Sequence, residues 1–283
     1  VKQNTARPIG IFDSGIGGLT VVRQIRRALP HEHLVYLGDT ARVPYGTKSP
    51  STVIRFACED TQFLADQGVK AVVVACNTAS AWAIPELEGR FEIPVFGVID
   101  PGAAVAVAQT RSRRIGVIGT AATIRSEAYV RAIHARDVRA KVFSRACPLL
   151  VPLVEEGWTN RAVTRMVLRA YLSPLIRRGI DTLVLGCTHY PLLKPAIRAV
   201  IGRSVSLVDS AESCAKFLAA VLESKHLRSQ NGRRSGCIRP FVTDEVAKFA
   251  LLSRRFLGAV TIQKPNHVQL PTLPTSGCGT INR

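Results

Sequence analysis

No apolar stretch in the sequence reaches the roughly 18 residues that a membrane-crossing helix needs, because Gly, Pro or a charge interrupts each one, and no membrane span is expected. The opening residues, VKQNTARP, have no apolar run behind them. No secretory leader is expected, and the cytoplasm is the default compartment. No Cys-x-x-Cys occurs among the seven cysteines, and no His-Glu-x-x-His is present. Neither a dithiol motif nor a close-set zinc site is therefore signalled. The cysteines (Cys58, Cys76, Cys147, Cys187, Cys214, Cys237 and Cys278) are odd in number and irregular in spacing, which fits free thiols in a reducing compartment. Most should be inert core residues. No lysine context marks a pyridoxal site, and the glycines of Asp13-Ser14-Gly15-Ile16-Gly17-Gly18 lack the full Gly-x-Gly-x-x-Gly order of a dinucleotide loop. No cofactor and no metal are expected.

Acidic residues are also scarce, 20 against 38 basic, a net charge of +18. That bias suits an anionic partner. The basic residues, however, are scattered as pairs such as Arg26-Arg27, Arg113-Arg114 and Arg177-Arg178, without zipper or finger spacing. Nucleic-acid binding is kept as an alternative reading, not the main one.

What is present is a chain of 283 residues, 47% hydrophobic, enough for one large or two medium domains and too apolar for general disorder. Strand and helix patterns alternate. Strands are expected at 9–13, 34–38, 69–75, 95–99, 115–118, 140–143, 182–185 and 205–208, with a late one near 241–243. Helices are expected at 19–28, at 51–67 with Ser51 as cap, briefly after Cys76, at 126–134, at 160–177 with Asn160 as cap, after Cys187, at 210–223 and at 245–256. Asp100-Pro101-Gly102 reads as a turn, 224–236 as an exposed polar loop, and 264–283 as a loosely attached tail. Continuous apolar strands between amphipathic helices predict parallel sheet covered on both faces, an α/β fold.

An internal echo narrows this further. KAVVVACNTASAWAIPELEG begins at Lys70 and DTLVLGCTHYPLLKPAIRAV at Asp181. Each is an apolar strand, a small residue, a cysteine, hydroxyl or amide groups, then a helix. The pattern predicts two similar α/β domains facing each other. Ligands of open parallel sheets bind at the strands' C-terminal ends, which is where Cys76 and Cys187 fall. A helix N-terminus there is expected to lower the thiol pKa and to offer N–H groups to a carboxylate.

Two thiols on opposite faces of one substrate suit inversion of a stereocentre. One removes an α-proton as thiolate and the other delivers a proton as thiol. Asp13 is a candidate partner for a substrate ammonium, or alternatively a cap for its own glycine loop. Tyr45 and Gly46 offer a hydroxyl and an amide, or form a plain turn. His189 is placed to tune Cys187 or to donate to a carboxylate. Asp39 and Glu155, charged and next to apolar segments, are candidates for ammonium handling or proton traffic.

The segments FDSGIGG at Phe12, PYG at Pro44, ACNTAS at Ala75, CPLLVPLVEEG at Cys147, GCTHYP at Gly186, Asp209-Ser210 and FVTDEVAKF at Phe241 resemble the aspartate/glutamate racemase family, and within it the glutamate racemases of bacterial cell-wall synthesis. The resemblance runs from about residue 8 to 262. It implies two three-layer α/β domains related by a pseudo-twofold axis, 1–99 plus 210–263 and 100–209, with the active site between them. It implies Cys76 as the base toward D-glutamate and Cys187 toward L-glutamate, supported by Asp39, Glu155 and His189. Asp13, Ser14, Tyr45, Gly46, Asn77, Thr78, Thr120, Thr123, Thr188 and His189 would contact substrate. It also implies no pyridoxal phosphate, no metal, a homodimer and a role in making D-glutamate for peptidoglycan. An aspartate or hydantoin racemase of the same fold is the nearest alternative. The high basic charge and the tail beyond Ile262 depart from the family pattern.

Overall fold

Strands β1 (Ile9–Asp13), β2 (Leu34–Gly38) and β3 (Ala71–Val74) are buried at every position, as strands covered on both faces must be. A computed structural model of the chain describes residues 5–229 and 235–273. These three strands belong to a six-stranded parallel sheet in the order β10-β9-β2-β1-β3-β4, with β4 at Val95–Gly97, β9 at Ile238–Val242 and β10 at Asn266–His267. A second parallel sheet has four strands in the order β6-β5-β7-β8: β5 (Arg114–Gly119), β6 (Lys141–Ala146), β7 (Thr182–Gly186) and β8 (Ser206–Asp209). Four strands of the first sheet, β2-β1-β3-β4, repeat the order of the second, β6-β5-β7-β8. The echo read in the sequence is thus an echo of topology, with β3 equivalent to β7. The molecule is built of two pseudo-symmetric α/β units.

Helices fill the crossovers. In the first unit these are α1 (Leu19–Ala28), α2 (Pro50–Asp66) and α3 (Asn77–Arg90). Then follow α4 (Ile99–Gln109), α5 (Ala121–Arg125), α6 (Ala128–His134), α7 (Leu150–Glu155), α8 (Ala162–Arg177) and α9 (Lys194–Ile201). The last two are α10 (Ser210–Ser224) and α11 (Val246–Leu257). Helix α1 buries Leu19, Val21, Val22 and Ile25 on one side and packs on α10 and α11. One core cluster runs through both units and includes Tyr36, Val98, Leu168 and Phe256; a second, around Phe12, Phe63 and Leu64, lies within the first unit. Among the described residues no helix is long and apolar enough to cross a membrane.

Several expectations need correction. The cap of α2 is Ser49, whose hydroxyl accepts from Thr52 N; Pro50 occupies the first helical position, where its missing N–H costs nothing. The helix after Cys76 has 14 residues and carries Pro85 inside it. Asp100-Pro101-Gly102 is the first turn of α4, a place that tolerates proline and favours an acidic side chain. Helix α8 starts after Arg161, with no side-chain cap from Asn160. Residues 264–273 are not a loose tail. Asn266 and His267 add a sixth strand, Val268 N donates to Val242 O, and Val268, Leu270 and Leu273 pack on the first unit's core. The remainder of that stretch, with Cys278, lies outside the described residues.

Candidate active site

Cys76 comes one residue after β3, beyond Ala75, and forms the N-cap of α3; Cys187 follows β7 directly. Equivalent strands therefore carry equivalent thiols. Both border one cavity of about 310 Å³ between the units, within the roughly 300–1,000 Å³ usual for small-molecule sites. Ser14, Tyr45, Gly46, Asn77, Thr78, Thr120, Glu155, Thr188 and His189 line the same cavity. Asp13, Asp39 and Thr123 do not line it and stand behind its wall.

The two thiols differ in surroundings. The helix N-terminus expected after each cysteine exists only at Cys76. After Cys187 the chain makes a short 3₁₀ turn, Tyr190–Leu193, and α9 starts at Lys194. Pro191 and Pro195 punctuate that stretch, and a proline restrains the residue before it from helical geometry. At Cys76 the expected lowering of the thiol pKa does not occur. Burial pushes it up to about 12, the charge of Asp13 adds to that, and the N–H of Ala79 and the Ser14 hydroxyl offset only part. The Cys76 Sγ to Ser14 Oγ distance is 3.6 Å.

Beside Cys187 stands an imidazole. His189 Nδ1 is 3.9 Å from Cys187 Sγ, and Nε2 is 3.0 Å from Glu155 Oε1. Burial works against a charge on His189, but the hydrogen bonds to Cys187 and Glu155 outweigh it and hold its pKa at about 10. The hydrogen bond from His189 in turn draws Glu155 below its ordinary value, against the opposing effect of burial. A cation thus sits next to Cys187, and among the described residues no comparable group touches Cys76.

The polar groups on the cavity wall are tightly tied to one another. Thr78, Thr120 and Thr123 form a triangle of hydroxyls, with Oγ1 separations of 2.9 Å (Thr78–Thr120), 3.1 Å (Thr78–Thr123) and 2.9 Å (Thr120–Thr123). Thr120 also caps α5 by accepting from Thr123 N. Asn77 Oδ1 accepts from Tyr129 OH at 2.7 Å. Thr188 O accepts from Thr20 Oγ1 at 2.8 Å, and the Thr188 hydroxyl donates to Asp13 Oδ1 at 3.4 Å. Asp13 Oδ2 accepts from Gly15 N, so this buried carboxylate caps the glycine loop while reaching across to the other unit. Burial raises its pKa, partly countered by the charge of His189.

Close approach explains one glycine. A Cβ on Gly17 would lie 2.3 Å from Thr188 Oγ1 and 2.4 Å from His189 Nδ1, so only glycine lets the two loops meet there.

Tyr45 is held by a buried carboxylate group. Its hydroxyl donates to Asp39, with Asp60 Oδ2 also within 3.0 Å. Arg42 bridges Asp39 (2.6 Å), Asp60 (3.1 Å) and Glu59. Burial and the charge of Asp39 push Asp60 well above the usual carboxylate range. Asp39 therefore acts on the cavity through Tyr45, and Thr243 donates to its other oxygen at 3.0 Å.

Sequence reasoning did not mark Val43, Thr47, Cys147, Pro148, Val151 and Pro152 as cavity wall. Cys147 through Pro152 lie in the segment CPLLVPLVEEG, whose apolar character gave no chemical signal. Arg42 and Asp60 were also missed, because the pairing depends on α2 folding back over the loop before Tyr45. Among the described residues no group of three or more His, Cys, Asp or Glu is placed to hold a metal ion.

Comparison with known proteins follows the same line. The sequence profile of the Asp/Glu/Hydantoin racemase family matches residues 9–218. A glutamate racemase of Geobacter metallireducens is 54% identical over 252 residues, covering 89% of this chain and 93% of the relative. The structure resembles a glutamate racemase isoform of Bacillus anthracis with a TM-score of 0.91 and 41% identity, covering 95% of this chain and 100% of that one. It resembles the Francisella tularensis glutamate racemase solved with D-glutamate with a TM-score of 0.87 and 39% identity, covering 94% and 98%.

Proposed function

From the premise that this chain belongs to the Asp/Glu/Hydantoin racemase family, we propose that it is a glutamate racemase that uses Cys76 and Cys187 as its two proton carriers. The observation that carries this reading is the placement of the two thiols. They leave equivalent strands of pseudo-symmetric units and border one small cavity.

The proton balance is simple. In one direction the Cys187 thiolate takes the α-proton of L-glutamate, and the Cys76 thiol gives its proton to the opposite face, yielding D-glutamate. The reverse reaction exchanges the two roles. Burial favours the protonated form of Cys76, which suits it to be the acid in the first direction. His189, charged across the neutral range, stands beside the sulfur that must carry the negative charge at that stage. The α-carbon becomes acidic enough only if the substrate is fixed and its charge met by donors. Ser14, the Gly46 amide, Asn77, Thr78, Thr120 and Thr188 supply donors on the wall, with Thr123 and Asp13 behind them. Asp39 fixes Tyr45, and Glu155 fixes His189.

The reading extends to a cytoplasmic enzyme, a homodimer, that supplies D-glutamate for peptidoglycan. It also divides the chain into a first unit of 1–99 plus 210–263, extended by the strand and packing of 264–273, and a second of 100–209. The +18 charge is assigned a secondary contact with polyanions at most.

Incubation with L-glutamate in deuterated water, without added cofactor, tests the activity. D-Glutamate carrying α-deuterium is the expected product. A folded protein that gives neither optical change nor exchange would overturn the reading, and a preference for aspartate would move it to the sister activity.

A further inference from the structure

Helix α11 comes from beyond the 9–218 stretch that the family profile matches, yet it meets the Cys187 half of the site in three ways. The Phe256 ring stands edge-on to His189, with centroids 5.3 Å apart and planes at 87°. Arg255 Nη1 donates to the main-chain oxygens of Val154, at 3.3 Å, and of Glu155, at the C-terminal end of α7. Lys248 shares with Glu155 the wall of a second, smaller cavity of about 80 Å³. Glu155 therefore lies on both cavities: the one that holds both thiols and the one that holds Lys248.

We propose that Lys248 is a positioning residue for the Cys187 half of the site, acting through Glu155. The inference rests on the two-thiol reading above. Glu155 has one oxygen on His189 Nε2. Lys248 and Glu155 share the wall of the second cavity, and the positive charge of Lys248 there favours the ionised form of the carboxylate. With Nε2 so engaged, Nδ1 is left to Cys187. Other charged groups share this surrounding. Cys187 and His189 face Glu155 from the loop after β7, Glu156 follows it at the end of α7, Arg255 reaches it from α11, and Glu245 stands at the N-cap of α11. Lys248 is the cation on the wall of the second cavity, while Arg255 is spent on main-chain oxygens. Lys248 is itself exposed, so its removal leaves no hole in the core.

The test uses the full chain and the variants Lys248→Met and Lys248→Arg, with racemisation followed in both directions against pH. Loss of the positive charge makes Glu155 easier to protonate. Lys248→Met should therefore move the acid limb of kcat upward by about half a pH unit and lower kcat about threefold to tenfold, with KM within about twofold. Lys248→Arg should restore both, and the melting temperature of each variant should stay within about 1 °C of wild type. Because the equilibrium between enantiomers is unity, kcat/KM must fall by one factor in both directions, which checks the kinetics internally. A Lys248→Met variant with the wild-type kcat and acid limb overturns the proposal, as does a loss that arginine does not restore. Failure of the wild-type chain to racemise glutamate would instead overturn the parent reading, so the two failures are distinguishable.

Discussion

His189 Nε2 and Glu155 Oε1 lie 3.0 Å apart, an ion pair between a buried imidazole and a half-buried carboxylate on another element. Each partner moves the other toward its charged form, His189 upward and Glu155 downward.

That pair makes stability depend on pH. A histidine whose folded pKa is raised from 6.5 to about 10 stabilises fully below the lower value and loses that contribution as pH rises to the higher one. Glu155, drawn downward, loses its contribution as pH falls through the acid range. The melting temperature of His189→Gln should fall below that of wild type by a few degrees, about 3 °C or more, near pH 6. The gap should close toward pH 10. Calorimetry across pH 5–10 checks this, and a gap that is flat or grows with pH contradicts it.

Cys76→Ala and Cys187→Ala should each lower racemisation by about 10²–10⁴-fold, since each removes a proton carrier that the other cannot replace. Melting curves should remain cooperative. Near-normal turnover in either variant rules out the two-thiol mechanism.

Gly17→Ala tests the contact between the loops. Its Cβ has nowhere to go but into Thr188 and His189, both buried. Overpacking of this kind costs about 1–3 kcal/mol. Displacement of His189 should lower kcat about 10²-fold, beyond what the stability loss explains. Wild-type kcat in a folded variant would show that the loops separate without consequence.

Thr78→Val keeps the shape and deletes one corner of the hydroxyl triangle. Thr120 and Thr123 still have each other at 2.9 Å, so the fold should hold. KM should rise about tenfold, the worth of one hydrogen bond to a charged group. An unchanged KM would remove these hydroxyls from the substrate's surroundings.

Truncation after Gln263 removes β10 and the packing of Val268, Leu270 and Leu273. The melting temperature should drop by at least about 2 °C. No change would mean that this segment adds nothing to the sheet it extends.

Much of this was legible in the sequence for a physical reason. Strands such as Val72-Val73-Val74 and Leu183-Val184-Leu185 are buried on both faces, so they read as unbroken apolar runs wherever they occur. The cysteine pair was legible because the two units repeat one topology, and the repetition survives in the residues at the strand ends. Asp100 was misread because a proline in a first helical turn looks, in sequence, like a proline that ends a helix. Strand β10 was invisible because two residues carry no periodicity; its partner β9 specifies it. The surroundings of Cys76 were misjudged because a helix N-terminus can be read from sequence, whereas the burial that overrides it cannot. Lys248 lies in the family-like segment FVTDEVAKF, but its sharing of a cavity wall with Glu155 exists only once the chain's late helix has returned to the first unit.

The strand order has a consequence for synthesis. Strand β9, which pairs with β2 along its whole length, is made after all four strands of the second sheet. On an emerging chain, the sheet that starts first is therefore the last to be finished. Until β9 arrives, β2 offers solvent an open row of main-chain donors and acceptors flanked by Leu34, Val35, Tyr36 and Leu37, a template for unwanted pairing with other nascent chains. All the chain made between β2 and β9, residues 39–237, sets the interval during which the growing chain is exposed to aggregation.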